Sequence, residues 1–253
     1  MTKIAKLMLG AALLSGAMMP AAVQAQSTDA PPTWDLSGSV TAVSQYRFRG
    51  ISLSDEDPAI QGGLTLGHAS GFYAGTWLSN LKGFGELGGS NLEIDLFAGY
   101  KTDLGGGTTF DAGLLYYMYP GSSGGDFEFF EPYANITASV GPATVKLGTA
   151  FAWSQAALGN NSNIYVFADP AIAIPDSPVT LKAHIGYSDG NTALSPTGNY
   201  LDWSLGVDVT YQMLTFNVSY VDTNLTAAEN RALIDPNRNI SDAAILFGIT
   251  AAF

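Results

Sequence analysis

Residues 34–48 read WDLSGSVTAVSQYRF, and the alternation of residue types along this stretch decides the fold class. One parity holds apolar and aromatic side chains, interrupted only by Gly38 and Ser44, while the other parity is mostly polar. Successive side chains of a β-strand point to opposite faces. The segment therefore predicts a strand with one apolar face and one polar face.

The same period recurs along the chain. Seven further segments show it clearly: 92–101, 110–118, 145–153, 179–187, 203–211, 214–220 and 243–253. Four weaker candidates fill the gaps: 59–69, 72–81, 128–140 and 162–174. Two of these contain Pro132 and Pro170, which weaken the prediction because proline cannot donate to a strand ladder. We predict twelve strands, an even number that leaves both chain ends on one side of a closed barrel.

Short and long connections alternate between these strands. The short ones are 70–71, 103–107, 141–142, 175–178 and 212–213, and the long ones are 50–58, 82–90, 120–127, 154–161, 189–199 and 222–240. A transmembrane barrel predicts this order, because its short turns lie on the periplasmic side and its long loops outside. A soluble β-sandwich gives no reason for loops to sort by length.

Aromatic side chains gather at both ends of the predicted strands. The short-turn ends carry Trp34, Phe72, Tyr100, Phe110, Tyr211 and Phe253, and the long-loop ends carry Tyr46, Phe48, Tyr116, Tyr119, Phe129, Trp153, Tyr187 and Tyr220. Two such bands match the headgroup belts of a membrane-spanning barrel. We predict an all-β fold, an antiparallel up-and-down transmembrane β-barrel over residues 34–253.

Composition narrows the function classes. The 253 residues include 22 acidic and 10 basic side chains, a net charge of −12, and no cysteine. The negative charge argues against nucleic-acid binding. The absence of cysteine excludes a disulfide scaffold, thiolate catalysis and cysteine-ligated metals.

The first 25 residues predict a cleaved signal peptide. Lys3 and Lys6 precede an apolar run at 7–19, and Val23-Gln24-Ala25 has the small-x-small pattern of a cleavage site. Residues 26–33 would then form a periplasmic N-terminal segment. The expected location is the bacterial outer membrane.

Two resemblances support this prediction. The last strand, with Ile245, Phe247 and Ile249 before a terminal Phe253, resembles the C-terminal signature of bacterial outer-membrane barrels, which implies recognition by the assembly machinery. The stretches YRFRGISLS at 46–54, PAIQGG at 58–63 and GFYAGTWLSN at 71–80 resemble the TorF family of porins. That resemblance implies an outer-membrane barrel that admits small solutes, with no catalytic residues.

If the apolar parity faces lipid, the polar parity lines the interior. The predicted pore-lining residues are Arg47, Glu93, Asp95, Asp111, Glu131, Lys146, Lys182, His184, Asp202 and Asp208, and Asp35, Arg49, Lys101 and Asp169 share their parity. Acidic groups outnumber basic ones, which favours cations. The alternative is that these groups pair across the lumen and close it. Twelve strands lie between the eight of a filled barrel and the roughly 16–18 of an open porin.

Other motifs carry little chemistry. Residues 83–88 spell G-x-G-x-x-G, but a strand follows instead of the helix that a dinucleotide site needs. Asp55-Glu56-Asp57 lacks the spacing of a calcium loop, and a solvated loop is the favoured interpretation. The two histidines, His68 and His184, lie in no recognisable Ser/His motif. We predict no catalytic residue, metal or cofactor.

The leading functional hypothesis is a porin-like channel for small hydrophilic solutes with a mild preference for cations. The alternative is a closed structural or adhesive barrel whose surface loops bind lipopolysaccharide or partners. The expected partners are outer-membrane lipid, lipopolysaccharide and, through the strand ending at Phe253, the assembly machinery, with no nucleic acid.

Overall fold

The computed structural model describes residues 33–253, so the predicted signal peptide and residues 26–32 lie outside the described residues. The strands are β1 (Trp34–Val43), β2 (Arg47–Phe48), β3 (Ile51–Ser52), β4 (Ala59–His68), β5 (Phe72–Asn80), β6 (Leu92–Gly105), β7 (Thr108–Met118), β8 (Phe129–Val140), β9 (Ala143–Gln155), β10 (Asn161–Ala173), β11 (Val179–Asp189), β12 (Asn199–Tyr211), β13 (Leu214–Thr223) and β14 (Ala244–Ala252). One short helix, α1 (Ala227–Leu233), interrupts the loop before β14.

Twelve of these strands form one closed antiparallel barrel, which confirms the predicted fold class. Each barrel strand pairs with its neighbours in sequence, and β14 closes the ring against β1, with Ser39 opposite Ala252 and Val43 opposite Gly248. Strands β2 and β3 pair only with each other. The ring leaves no unpaired sheet edge, which is the condition for a sheet inside lipid.

The apolar side chains lie on the outside of the ring. Leu36 of β1, Leu205 of β12 and Phe247 of β14 are 65%, 63% and 57% exposed, whereas the charged side chains of the opposite parity are mostly buried. A soluble β-sandwich would bury those apolar residues between its sheets. Among residues 33–253, no helix is long and apolar enough to cross a membrane.

The four weaker strand predictions are also correct, including the two that contain proline. The ladder between β8 and β9 begins at Tyr133, just after Pro132, and the ladder between β10 and β11 skips Asp169 and Pro170. Each proline therefore lies within the ladder to one neighbouring strand only. On its other side the ladder is already absent or interrupted, so the missing N–H breaks no further hydrogen bond.

Three details of the predicted strands and loops are wrong. Strand β1 ends at Val43, and residues 44–48 leave the sheet instead of extending it. The connection between β9 and β10 spans only residues 156–160, so it is no longer than the short turn at 174–178. The outer aromatic band also differs, because four of its predicted members lie in the interior: Tyr46, Phe48, Tyr119 and Phe129. Exposed aromatic residues at that end include Phe130, Trp153, Tyr187 and Tyr220.

Candidate functional site

Residues 46–54 fold into the long-loop end of the barrel, and we call them the inner hairpin. Arg47 pairs with Ser52 and Phe48 pairs with Ile51. The two residues between them, Arg49 and Gly50, have φ angles of 48° and 82°. Positive φ at both central residues is what a two-residue type I′ turn requires, and glycine meets that requirement without strain.

The tip of the inner hairpin carries a buried ion pair. Arg49 Nη2 donates to both carboxylate oxygens of Glu131 on β8, each at 2.8 Å. The Tyr117 hydroxyl donates to Glu131 Oε2 at 3.0 Å, and the Arg49 guanidinium lies 4.2 Å from the centre of the Tyr165 ring. Both charged side chains are fully buried. The pair ties the hairpin to the wall of the barrel.

The inner hairpin contacts strands on nearly opposite sides of the ring. Tyr46 packs against Trp77 of β5, with ring centroids 5.4 Å apart, and the Tyr200 hydroxyl of β12 donates to the Arg49 carbonyl at 3.0 Å. Arg49 also contacts β8 and β10, as described above. A segment that touches β5, β8, β10 and β12 from inside must cross the lumen.

Arg47 holds the base of the inner hairpin to the last long loop. Its Nη1 donates to the carbonyls of Ile240 and Gly50 at 2.7 and 2.8 Å, and the Ser52 amide donates to the same Ile240 carbonyl at 2.9 Å. Arg47 is thus buried inside the barrel, but on the hairpin and not on β1 as predicted.

The acidic triplet at 55–57 is neutralised by basic residues. The Lys82 ammonium donates a hydrogen bond to the Asp57 carboxylate, and Arg238 Nη1 lies 3.3 Å from Asp55 Oδ1. The hydrogen bond from Lys82 lowers the pKa of the Asp57 carboxyl below its ordinary value. These contacts join three loops, which makes the triplet a structural clamp. Within the described chain, no group of three or more histidine or acidic residues could hold a metal ion.

The other nine predicted pore-lining residues lie on barrel strands and point inward. Their side chains are buried or nearly so: Glu93, Asp95, Asp111, Glu131, Lys146, Lys182, His184, Asp202 and Asp208. Asp35 differs, because it is exposed at the short-turn end of β1. The structure therefore gives the location of these residues, while their role in a pore stays a prediction.

A charged wall runs along β9 to β12, comprising Lys146, Asp169, Lys182, His184, Asp202 and Asp208. Lys146 Nζ lies 3.7 Å from Oδ2 of Asp169, which is its direct partner in the β9–β10 register. Lys182 Nζ lies 2.7 Å from Asp208 Oδ2. The His184 ring lies between two carboxylates, with Nδ1 at 2.5 Å from Asp169 Oδ1 and Nε2 at 2.9 Å from Asp202 Oδ1. These groups pair along the wall between adjacent strands. Arg49 of the inner hairpin, in contrast, pairs with Glu131 of β8 inside the lumen, as the alternative hypothesis expected.

Two carboxylates at the long-loop end have a different environment. Glu93 and Asp95 of β6 are 1% and 5% exposed, and Tyr119 donates to Glu93 Oε1 at 3.2 Å. Glu93 Oε2 and Asp95 Oδ1 are buried without a hydrogen-bond partner. No ion pair described for residues 33–253 includes either side chain. The inner hairpin thus covers two uncompensated acids.

A cavity of about 170 Å³ is bounded by the charged wall and by the hairpin residues Arg47 and Arg49. Its other side, on β1, β13 and β14, presents neutral hydroxyl groups from Thr41, Thr215 and Thr250. A water molecule needs roughly 10–15 Å³ of such space, so the cavity holds on the order of ten waters. The cavity is thus large enough for water and has one charged side and one neutral side.

Several inward aromatic rings pack over a glycine that stands directly opposite on the neighbouring strand. Four directly opposed pairs show this: Tyr73 with Gly99, Phe97 with Gly75, Tyr133 with Gly113, and Phe167 with Gly148. A Cβ atom at any of these glycines would lie 2.5 Å or less from the ring or its hydroxyl. The rings therefore occupy the space above the glycines. Sequence reasoning missed this arrangement, for which the 29 glycines were the available signal.

Neither histidine forms a recognisable catalytic group. His184 contacts Asp169, Asp202 and the Tyr165 hydroxyl, and no serine is among these partners. His68 Nδ1 lies 2.7 Å from Ser70 Oγ at the exposed short-turn end. Within the described part of the chain, no ion pair provides His68 with a carboxylate to orient its ring.

The comparisons with known proteins agree with this architecture. A family model described as "Bacterial protein of unknown function (Gcw_chp)" matches residues 25–253. A comparison with curated proteins found no match.

Solved structures with similar folds are outer-membrane channels. A NanC porin aligns with a TM-score of 0.57 and 11% identity over 87% of this chain and 99% of its own. The KdgM porin aligns at 0.57 and 10% over 86% and 99%. The COG4313 outer membrane channel from Pseudomonas putida F1 aligns at 0.50 and 10% over 90% and 99%. At such identities the likeness shows the shared barrel fold.

Proposed function

The chain belongs to the Gcw_chp family of bacterial proteins of unknown function, and from that premise we propose that it is an outer-membrane channel for small hydrophilic solutes. The observation that carries this proposal is the inverted barrel, with apolar side chains exposed around the ring and charged side chains buried inside it. A sheet needs an apolar exterior and a closed ring to lie in hydrocarbon. A polar interior needs water or solute to face.

Two features of the interior favour an open passage and not a filled core. The residues of the charged wall pair between adjacent strands, Lys182 with Asp208 and Lys146 with Asp169, so these side chains find their partners at the wall. The rings of Tyr73, Phe97, Tyr133 and Phe167 pack over glycines of the neighbouring strands, close to the wall. The cavity beside the wall is the part of that passage that lies next to the inner hairpin.

We extend the proposal to a mild preference for cations. Seven inward acids (Glu93, Asp95, Asp111, Glu131, Asp169, Asp202 and Asp208) stand against five inward bases (Arg47, Arg49, Lys101, Lys146 and Lys182). A low-dielectric wall focuses the field of such charges on a passing ion.

The environment of the barrel is part of the same proposal. Residues 1–25 act as a cleaved signal peptide, outer-membrane lipid surrounds the apolar belt, and lipopolysaccharide contacts the long loops. The short turns face the periplasm, and the strand ending at Phe253 engages the assembly machinery. The resemblance to the TorF family stays a prediction.

Liposome swelling tests the channel directly. Purified protein in liposomes should admit small sugars and amino acids faster than oligosaccharides, and faster than protein-free liposomes do. A folded, inserted barrel that admits none of these solutes, with or without residues 47–52, would contradict the proposal.

A second candidate function is the closed structural or adhesive barrel, and the inner hairpin favours it because the hairpin crosses the lumen. This candidate requires that liposomes holding the intact, inserted barrel stay impermeable. It also requires that the long loops bind lipopolysaccharide or a partner surface.

A further inference from the structure

We propose that the inner hairpin is a latched gate, in which the Arg49–Glu131 ion pair holds residues 46–54 across the lumen and its release opens the passage. The proposal rests on the channel function, because a gate needs a passage to close. It adds a moving element and the contact that fixes it.

The hairpin is placed where a gate must be. Its contacts with Trp77 on β5 and Tyr200 on β12 show that it spans the ring at the long-loop end. The hydrated cavity lies beside it, bounded in part by Arg47 and Arg49. Solute that enters from the long-loop side must therefore pass this segment.

The hairpin can move without breaking the barrel. Of the backbone hydrogen bonds described for residues 33–253, none joins the inner hairpin to a barrel strand. Its backbone bonds outside itself go to loop residues: the Ser52 amide donates to the Ile240 carbonyl, the Lys82 amide to the Leu53 carbonyl, and the Asp57 amide to the Ser54 carbonyl. Movement of the tip would break side-chain contacts but none of the backbone hydrogen bonds between barrel strands.

The ion pair at the tip acts as the latch. The Arg49 guanidinium is fully buried, and its Nε and Nη1 atoms have no hydrogen-bond partner, so among residues 33–253 Glu131 is the carboxylate that forms an ion pair with it. Removing one partner of a buried ion pair leaves an uncompensated charge, which is strongly unfavourable away from water. Loss of the Glu131 charge should therefore drive the Arg49 tip out into solvent.

Two buried acids oppose the latch. Tyr119 donates a hydrogen bond to Glu93, yet one carboxyl oxygen each of Glu93 and Asp95 remains unpartnered beneath the hairpin. Burial of a carboxylate without full hydrogen bonding is costly, and outward movement of the hairpin would return water to both. The latch and these acids thus favour opposite positions of the same segment.

A single introduced cysteine reports the position of the hairpin, because the chain has none of its own. Ser52 lies on the hairpin and is completely buried, so Ser52→Cys should react slowly with a thiol reagent in the folded barrel. Adding Arg49→Ala or Glu131→Gln should raise the labelling rate at least tenfold and increase single-channel conductance. Adding Arg231→Ala, at an exposed arginine of α1, should change neither quantity.

The charge-swapped pair Arg49→Glu with Glu131→Arg separates the latch from a general folding defect. It should return labelling toward the slow rate of Ser52→Cys alone. Equal labelling rates in all variants would overturn the latch. A variant lacking residues 47–52 separates the gate from the channel. If that variant conducts, while Arg49→Ala and Glu131→Gln label fast without added conductance, the gate is overturned. If that variant is also silent, the channel function itself fails.

Discussion

The ring of Phe97 on β6 lies directly over Gly75 on β5, its opposite partner in the strand register. A Cβ atom at Gly75 would lie 2.4 Å from Phe97 Cζ and 2.3 Å from the Leu64 carbonyl oxygen. The absence of a side chain at Gly75 is therefore what lets the ring lie along the wall. The same relationship at Gly148 and Phe167 shows that the barrel uses it repeatedly.

Gly75→Ala should destabilise the barrel, because the new methyl group meets a backbone oxygen that cannot move without the strand. Overpacking of this kind costs about 1–3 kcal/mol. The matched control is Gly248→Ala on β14, where the nearest atom to a new Cβ is Val43 Cγ1 at 3.6 Å. Urea unfolding in detergent, followed by gel mobility of unheated samples, measures both variants. Equal midpoints would contradict the role of the glycine.

Charge substitutions on the wall should shift ion selectivity in opposite directions. Asp208→Asn leaves Lys182 without its partner at 2.7 Å and should favour anions, whereas Lys182→Met should favour cations. A unit charge about 4 Å from an ion contributes about 1 kcal/mol in a water-like lumen, so each permeability ratio should change roughly fivefold. Reversal potentials under a salt gradient measure this, and shifts of the same sign in both variants would argue against a lumen lined by this pair.

Phe253→Ala should lower the amount of barrel that reaches the outer membrane several-fold. We attribute this to weaker recognition of the last strand by the assembly machinery, since the Phe253 ring is 60% exposed and buries little surface. Phe72→Ala is the control, because Phe72 is 64% exposed at the same end of the barrel. Membrane fractionation compares the two, and similar yields would count against a special role for the terminal residue.

The outward parity was predictable from sequence because a strand with an apolar outer face and a polar inner face must alternate strictly. Leu205, Val207 and Val209 alternate with inward residues on β12 and are all exposed, as a strand between hydrocarbon and a polar interior requires. Adjacent aromatics gave no such guide, and Phe129 proved to be inside while Phe130 is outside. A shift of one residue exchanges the faces of a strand, so period alone cannot assign such pairs.

The inner hairpin was not predictable, because Tyr46 and Phe48 continue the parity of β1. The chain leaves the sheet near Ser44, whose side chain accepts a hydrogen bond from the Phe247 amide. The contact that holds the hairpin joins residues 82 positions apart, and no local pattern encodes it. The one local signal was Arg49-Gly50, since glycine at the second position suits a two-residue turn.

The central claim is that the polar inner face encloses a water-filled passage through a bilayer. Single-channel recording in planar bilayers tests it most directly, with the intact chain and a variant lacking residues 47–52. We predict discrete conductance steps that are larger and longer-lived in the variant. Silence from both proteins, when each has inserted as a folded barrel, would contradict the account.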